Sequence, residues 1–340
     1  MKKWIQLTMA AVLAAGLTAC SQTPPTQPSN STQPSEPETS GTQSQEDTSV
    51  VRIGSLKGPT SMGLVQLMEQ DEAGSSRQDY EFTMAAAADE LTALFGKGEL
   101  DAMAIPANVA ASLYNNTQGG LKVAAINTLG VLYIVENGDT VHSLQDLSGK
   151  TLYTTGKGTT PEYALNYLLA KAGVADVTVE FKSESAEVAA LLAGEEPIVA
   201  MLPQPFVTTA QMKNDKLRVA LDVTEVWDEL TDDSQLVTGV LVVRADFLEK
   251  NKAAVDTLLE EYEDSVDFVQ DNLTQAAQLV EKYDIVPAAV AEKALPQCNI
   301  TFEEGEDMKE MLSGYLQTLF DQNPKAVGGA LPDENFYYDD

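Results

Sequence analysis

The sequence has 340 residues, which is too long for one ordinary core and long enough for two. Its hydrophobic (44%) and charged (21%) fractions are typical of a soluble globular protein. The 52 acidic residues outnumber the 21 basic ones and give a net charge of −31. This balance argues strongly against nucleic acid as a partner, because phosphates are neutralised by clustered Lys and Arg.

The first predicted element is a signal peptide over residues 1–19. Lys2 and Lys3 precede an apolar stretch at residues 7–17. As a helix this stretch spans about 16 Å, whereas a bilayer core needs about 30 Å, so it is too short for a membrane span. The sequence Leu17-Thr18-Ala19-Cys20 that follows resembles the bacterial lipobox, which implies cleavage before Cys20 and lipidation of its sulfur. The alternative is a plain secretory signal with an incidental Cys.

Residues 21–49 contain Ser, Thr, Pro, Gln, Glu, Gly, Asn and Asp and no large apolar side chain. Such a segment cannot bury enough surface to offset its ordering entropy, so we expect it to be disordered. Behind a lipidated Cys20 it would act as a tether that holds the folded part away from the membrane. All but four of the 52 acidic residues follow this tether.

From residue 50 the chain alternates strand and helix patterns, which predicts mostly parallel sheets covered by helices. The predicted strands of the first unit are 50–56, 80–84, 100–105, 121–127 and 131–135. Helices are expected between these strands, with Thr60 and Asp89 as N-caps of the first two.

A second α/β unit follows, with predicted strands at 151–154, 177–181, 197–202 and 217–221. Thr160 is the expected N-cap of its first helix, with Pro161 at the first helical position. The chain then returns through a strand-like stretch at 235–243 to helices over 245–284, 287–295 and 306–320.

Four short motifs resemble those of one family: Leu144–Lys150 (LQDLSGK), Gly158–Pro161, Gly98–Ala102 and Leu202–Pro205. Their order resembles the solute-binding lipoproteins of bacterial ABC importers, in the branch related to aliphatic-sulfonate and thiamine-precursor binders. That resemblance implies the type II periplasmic-binding-protein fold, with two α/β lobes and a ligand cleft between them. Lobe 1 would be 50–140 plus 236–340 and lobe 2 would be 141–235, with crossings near 136–142 and 227–235.

In α/β units, ligands bind beyond the carboxyl ends of strands, where helices begin. The loop after the first strand carries Lys57, flexible Gly58 and two hydroxyls, and these groups favour an anion or another acceptor. A glycine- and threonine-rich loop faces it from the second lobe. The predicted ligand residues are Lys57, Gly58, Thr60, Ser61, Asn108, Asn127, Thr128, Gly158, Thr159, Thr160, Gln204 and Trp227.

Each of these predictions has a plain structural alternative. Lys57 could be an exposed side chain on an ordinary turn, and Asn108 could be a helix cap. Trp227 could stack on a flat ligand, but a Trp at such a position is more often part of the packing.

Catalysis receives little support from the sequence. His142 is the single histidine, and its expected place is the surface, so we expect no His-based metal cluster, no Ser-His-Asp triad, no metal and no cofactor. Cys298 is expected to be a small buried hydrophobe.

The sequence therefore predicts a non-enzymatic, monomeric capture protein outside the bacterial cytoplasm, anchored to the membrane by lipid on Cys20. Its partners would be a small solute and an ABC permease, with a small organic anion or a flat nitrogen heterocycle as ligand. Two alternatives stay open. One is an enzyme on the same fold, of the thiamine-pyrimidine or menaquinone-pathway type, although such enzymes are generally cytoplasmic. The other is a surface receptor that binds no small molecule.

Overall fold

The computed structural model describes residues 50–231 and 234–339. The predicted signal peptide, the lipidation site at Cys20 and the tether lie outside the described residues. Within the described part of the chain, no helix combines the length and the apolar character needed to cross a bilayer.

The chain passes through three successive runs of strands and helices. The first run comprises β1 (Val51–Leu56), α1 (Pro59–Met62), α2 (Val65–Glu72), β2 (Tyr80–Ala85), α3 (Ala88–Gly96), β3 (Ala102–Pro106), α4 (Ala107–Thr117) and β4 (Leu121–Thr128). The second comprises β5 (Leu132–Asn137), β6 (Thr151–Thr154), α5 (Thr160–Lys171), β7 (Thr178–Phe181), α6 (Ser185–Leu192), β8 (Val199–Pro203), α7 (Phe206–Gln211), β9 (Leu217–Asp222) and α8 (Val223–Leu230). The third comprises β10 (Gly239–Arg244), α9 (Ala245–Lys250), α10 (Lys252–Asp271), α11 (Leu273–Lys282), α12 (Ala288–Ala294), β11 (Ile300–Glu303) and α13 (Gly305–Gln322).

The described strands form two sheets with the same internal plan. The first has the order β11-β4-β10-β3-β1-β2 and the second the order β7-β6-β8-β5-β9. In each sheet three neighbouring strands run parallel, and one antiparallel strand, β10 or β5, separates them from the next. The predicted fold class, two mostly parallel α/β sheets flanked by helices, is confirmed.

The first crossing between lobes lies earlier than the sequence suggested. β4 ends at Thr128 in the first sheet, whereas β5 begins at Leu132 and pairs with β8 and β9 of the second sheet. The chain therefore crosses over residues 129–131, and the predicted boundary at residue 140 and crossing at 136–142 are wrong. Two strands joined by three residues look consecutive in sequence, and the pattern does not say which sheet each one joins. The return crossing lies between Leu230 and Gly239.

The predicted helix caps are also shifted by one or two residues. Helix α1 begins at Pro59, so Gly58 is its N-cap, and the Thr60 hydroxyl instead donates to the Leu56 carbonyl (3.0 Å). Helix α5 begins at Thr160 itself, with Thr159 as N-cap. Asp89 lies inside the first turn of α3, whose N-cap is Ala87.

Cys298 lies in the core of lobe 1, as predicted. It is fully buried, and its sulfur lies 3.9 Å from that of Met62. Burial raises the pKa of the thiol to about 12. The side chain is therefore a protonated, unreactive part of the packing at neutral pH.

Candidate functional site

A cleft of about 620 Å³ lies between the two lobes. In each sheet, the carboxyl ends of the three parallel strands contribute to this cleft. From lobe 1 come the segments after β1, β2 and β3, and from lobe 2 those after β6, β7 and β8. This is where the geometry of α/β sheets places ligands, because loops and helix starts meet there. The volume falls within the range of small-molecule sites.

The lobe 1 wall begins with the turn after β1. Gly58 has φ = 145°, a conformation that favours glycine, and it brings the backbone close to the opposite lobe. A Cβ at this position would lie 4.0 Å from the ring of Phe206 in lobe 2. Next to it, the Lys57 ammonium lies 3.1 Å from the Asp284 carboxylate. Both side chains are well exposed, so this ion pair adds little stability and leaves Lys57 able to change partner.

The lobe 2 wall begins with the loop after β6, which carries Lys157. Gly156 and Gly158 both adopt positive φ, which lets the loop turn tightly before α5. The Thr159 hydroxyl donates to the Gly156 carbonyl (2.7 Å) and fixes the turn. Lys157 extends over the Phe181 ring (5.9 Å), the last residue of β7. The loop thus presents a cation from a fixed backbone.

A second lobe 2 segment follows β7 and leads into α6. The Ser185 hydroxyl lies 3.1 Å from that of Thr155, which ties this segment to the loop after β6. Lys182 packs over the Tyr153 ring (5.2 Å) and lies beside the cleft. Hydroxyls and a second lysine therefore stand next to Lys157.

Lysines outnumber carboxylates among the side chains that line the cleft, and two of the three lysines form ion pairs, Lys57 with Asp284 (3.1 Å) and Lys182 with Glu180 (3.4 Å). The described lining of the cleft carries Lys57, Lys157 and Lys182 against Asp89 and Glu184. The helices α3, α5 and α6 also begin at the lining, and their N-terminal amides favour negative charge. The cleft is therefore suited to an anionic group, although the protein carries a charge of −31.

Apolar side chains line the rest of the cleft. These are Leu56, Pro59, Pro106, Val109, Val131, Leu132, Pro161, Pro203 and Phe206, together with Ala86, Ala87 and Ala88. A ligand with an apolar body and an anionic group matches this mixture, because burial of its carbon skeleton adds hydrophobic free energy to the charge contact.

Five of the predicted ligand residues line the cleft together: Lys57, Gly58, Thr60, Thr159 and Thr160. Gly158 belongs to the same loop, and its carbonyl accepts a hydrogen bond from Asn108. These residues stay the predicted contacts of a ligand.

Trp227 is not available to a ligand. It has no exposed surface and packs between Tyr167 of lobe 2 and Tyr315 of lobe 1, at ring-centre distances of 4.7 and 5.7 Å. Its indole N–H donates to the Ser234 carbonyl (3.0 Å). The prediction that Trp227 stacks on a flat ligand is therefore wrong, and the packing alternative is correct.

The side chains of Gln204 and Ser61 are buried and form hydrogen bonds within the protein, and neither residue lines the cleft. The Gln204 side-chain oxygen accepts from the amide and hydroxyl of Thr208, and its nitrogen donates to Gln297 (3.0 Å). The Ser61 hydroxyl donates to the Leu56 carbonyl and lies 2.7 Å from that of Ser55.

Asn108, Asn127 and Thr128 are also buried and absent from the lining. The Asn127 amide donates to the Tyr262 hydroxyl (3.1 Å). Asn108 does not cap α4, whose N-cap is Pro106, and its amide instead joins the two lobes. Asn108 follows the end of β3, and Asn127 and Thr128 are the last two residues of β4, but all three side chains are buried.

Two segments of the lining that carry polar side chains are absent from the predicted ligand residues. One is the segment after β2, from Ala86 to Asp89, and the other is Ser183 to Ser185 after β7. Both lie at carboxyl ends of parallel strands, so the rule applied to β1 and β6 would also have found them. The alanine run and the serines carry no distinctive motif that marks them as ligand contacts.

The described lining of the cleft contains neither His nor Cys. His142 lies on the surface of lobe 2, 3.6 Å from Asp139, and Cys298 is buried in lobe 1. Among the described residues, no group of three or more His, Cys, Asp or Glu is placed to hold a metal ion.

A family model described as menaquinone biosynthesis matches residues 56–318. No curated protein matches the chain. An ABC transporter protein from Parabacteroides distasonis is 25% identical with a TM-score of 0.72, covering 86% of this chain and 99% of its own.

Two sulfonate-binding proteins share the fold at lower identity. The periplasmic aliphatic sulphonate binding protein SsuA from Escherichia coli is 17% identical with a TM-score of 0.67, covering 85% of this chain and 92% of its own. The alkanesulfonate-binding protein SsuA from Xanthomonas axonopodis pv. citri, bound to MOPS, is 16% identical with a TM-score of 0.65, covering 83% and 94%. The chain has the type II periplasmic-binding-protein fold.

Proposed function

The chain belongs to the family described as menaquinone biosynthesis, and we propose that it acts as the solute-binding protein of an ABC importer. The observation that carries this proposal is the cleft of about 620 Å³ built from both lobes at the carboxyl ends of their parallel strands. Solved proteins of the same fold include ABC transporter components from several bacteria, which supports the proposal.

The solute we propose is a small organic anion. Lys57, Lys157 and Lys182 supply positive charge, and the neighbouring hydroxyls supply hydrogen bonds. The apolar wall accepts a carbon skeleton. A flat heterocycle fits the described cleft less well, because Trp227 is buried and Phe206 alone supplies an aromatic ring to the lining.

We further propose that the protein works outside the cytoplasm as a monomer, held at the membrane by lipid on Cys20 and serving a membrane permease. The lipobox-like sequence Leu17–Cys20 and the polar stretch 21–49 support an anchor and a tether. The solved neighbours described as periplasmic support an extracytoplasmic location.

The second candidate function is an enzyme of menaquinone biosynthesis, which the family description favours. An enzyme of this kind would convert its bound compound, whereas a capture protein returns it unchanged. Mass spectrometry of a ligand after prolonged incubation separates the two candidates.

The proposal predicts that small organic anions raise the melting temperature of the protein, because a ligand that binds the folded state stabilises it. Sulfonates, carboxylates and phosphate esters of small size are the probes, with thermal-shift screening as the measurement. Lys157→Ala should weaken the anion that binds best by about tenfold, which corresponds to about 1.4 kcal/mol.

Lys216→Ala is the matched control, because Lys216 is exposed on the same lobe and away from the cleft. It should leave the affinity unchanged. A melting temperature that no anion moves would contradict the proposed ligand class, and equal weakening by both variants would remove Lys157 from the site.

A further inference from the structure

A second chamber of about 400 Å³ adjoins the cleft. We call the cleft described above the inner chamber and this one the outer chamber. Five residues line both: Lys57, Ala86, Glu184, Ser185 and Phe206. The two chambers therefore adjoin, and we call the boundary formed by these shared residues the neck.

Both lobes build the neck. Phe206, the first residue of α7, faces Gly58 of lobe 1, and a Cβ added at Gly58 would lie 4.0 Å from the ring. Lys57 also lines this boundary, with its ammonium 3.1 Å from the Asp284 carboxylate. Phe206 is the one aromatic side chain among the five shared residues, so a ligand that extends from one chamber into the other would lie beside its ring.

The outer chamber has an apolar floor. Ile285, Val286 and Pro287, which lead into α12, form its lobe 1 side, and Ala186 and Ala189 of α6 form its lobe 2 side. Ile285 and Val286 are nearly buried. A floor of this kind contacts a hydrocarbon segment favourably.

The charges of the outer chamber differ from those of the inner one. Glu281 and Asp284 belong to the outer chamber alone, together with Lys213. Lys57 at the neck already pairs with Asp284, whereas neither Glu281 nor Glu184 forms an ion pair with any described residue. The inner chamber adds Lys157 and Lys182 with Asp89. The cleft is therefore more basic at its inner end and more acidic at its outer end.

We propose that the cleft binds an elongated organic solute with an anionic group at one end and an amine at the other. The anionic end lies in the inner chamber, the hydrocarbon segment passes Phe206, and the amine reaches Glu281 in the outer chamber. This rests on the proposed function, and it adds the length and the second charged group of the ligand.

The test compares two series of probes by calorimetry with the full protein. One series consists of n-alkyl carboxylates and sulfonates of increasing length, and the other carries an added terminal amine at the same lengths. In short members the amine stays in the more basic inner chamber and should give no gain in affinity. Beyond the length that passes the neck, the amine-bearing member should bind about fivefold more tightly than its partner, as expected for a charge pair at a partly exposed site.

Glu281→Gln should remove this preference for the amine and leave the affinity for the n-alkyl series unchanged. Glu310→Gln is the control, because Glu310 is an exposed carboxylate on α13 outside both chambers. It should keep the preference intact.

The outcomes distinguish the proposal of an elongated ligand from the broader proposal of solute capture. If anions bind but an amine gives no advantage at any length, or if Glu281→Gln keeps the advantage, the elongated ligand is wrong and solute capture stands. If no member of either series binds, both are contradicted.

Discussion

Glu136 shows how lobe 2 holds a buried carboxylate away from the cleft. Its side chain is 2% exposed and accepts hydrogen bonds from the amides of Thr140 (2.9 Å) and Val141 (3.0 Å), the Thr140 hydroxyl, and Arg218. Burial acts to raise the pKa of Glu136, but these hydrogen bonds outweigh it and hold the pKa below the ordinary value of 4.5. The charged form is therefore part of the folded state.

Glu136→Gln should destabilise the protein by about 2–3 kcal/mol at pH 7, because donors that face a carboxylate lose their charged acceptor. A carboxylate whose pKa is lower in the folded state contributes stability above its unfolded pKa and loses it as pH falls through the folded pKa. The difference between wild type and variant should therefore shrink as pH falls below 4.5. Urea unfolding at a series of pH values measures it.

Glu229→Gln provides the control, since Glu229 is an exposed carboxylate on α8 of the same lobe. Its effect should stay within about 0.5 kcal/mol, as for most surface changes. A Glu136→Gln penalty that stays constant down to pH 3 would contradict an ionised Glu136 in the folded protein.

At this scale the sequence predicts the type of group in the site better than the direction in which it points. Lys57 and Thr159 follow strands and line the cleft as expected. Trp227 also follows a strand, yet its environment is set by Tyr315 from the other lobe. A contact between residues that distant in sequence leaves no local pattern, so the sequence could not distinguish a stacking surface from packing.

At the scale of elements, lobe 1 holds the loop before α5 from two sides. The Asn108 amide on α4 donates to the Gly158 carbonyl (3.1 Å) and to the Ala326 carbonyl (3.2 Å). The Tyr315 hydroxyl on α13 lies 3.4 Å from that of Thr160. The loop that supplies Lys157 is thereby positioned by side chains of the opposite lobe.

Asn108→Ala should weaken binding of an anion about fivefold, because the loop loses one of its contacts with lobe 1 and the binding arrangement becomes less populated. The fall in unfolding free energy should be about 1–2 kcal/mol. Calorimetry with a probe that binds wild type, together with urea unfolding, measures both quantities.

Asn115→Ala is the matched comparison, because Asn115 on the same helix donates to the Val327 and Ala330 carbonyls within lobe 1. It should lose similar stability and keep its affinity for the anion. Equal loss of affinity in the two variants would show that Asn108 acts only through general stability.

Most elements could be predicted, because strand and helix periodicities are local and the breaks near Asn251 and Asn272 interrupt the helical pattern. The partner of each strand could not be predicted from pattern alone. β5 begins three residues after the end of β4, but it pairs with β8 and β9, which lie far along the chain. Register and sheet membership depend on such distant pairings, and these set the lobe boundary.

At the scale of the whole molecule, the charge is distributed unevenly between the exterior and the cleft. The chain carries −31, while the described lining of the inner chamber carries more lysines than carboxylates. Surface charge is screened within about 8 Å at physiological salt, so the acidic exterior does not cancel the field in the cleft. An acidic exterior favours solubility, and the lysines of the inner chamber are the groups that we propose to contact an anion.

The most direct test of capture between the lobes is hydrogen exchange with and without the organic anion that binds best. We expect slower exchange in Lys57–Ser61 of lobe 1 and in Gly156–Thr160 and Ser183–Ser185 of lobe 2, since a ligand in the inner chamber contacts both walls. Protection confined to one lobe, or to neither, would contradict a binding site between them.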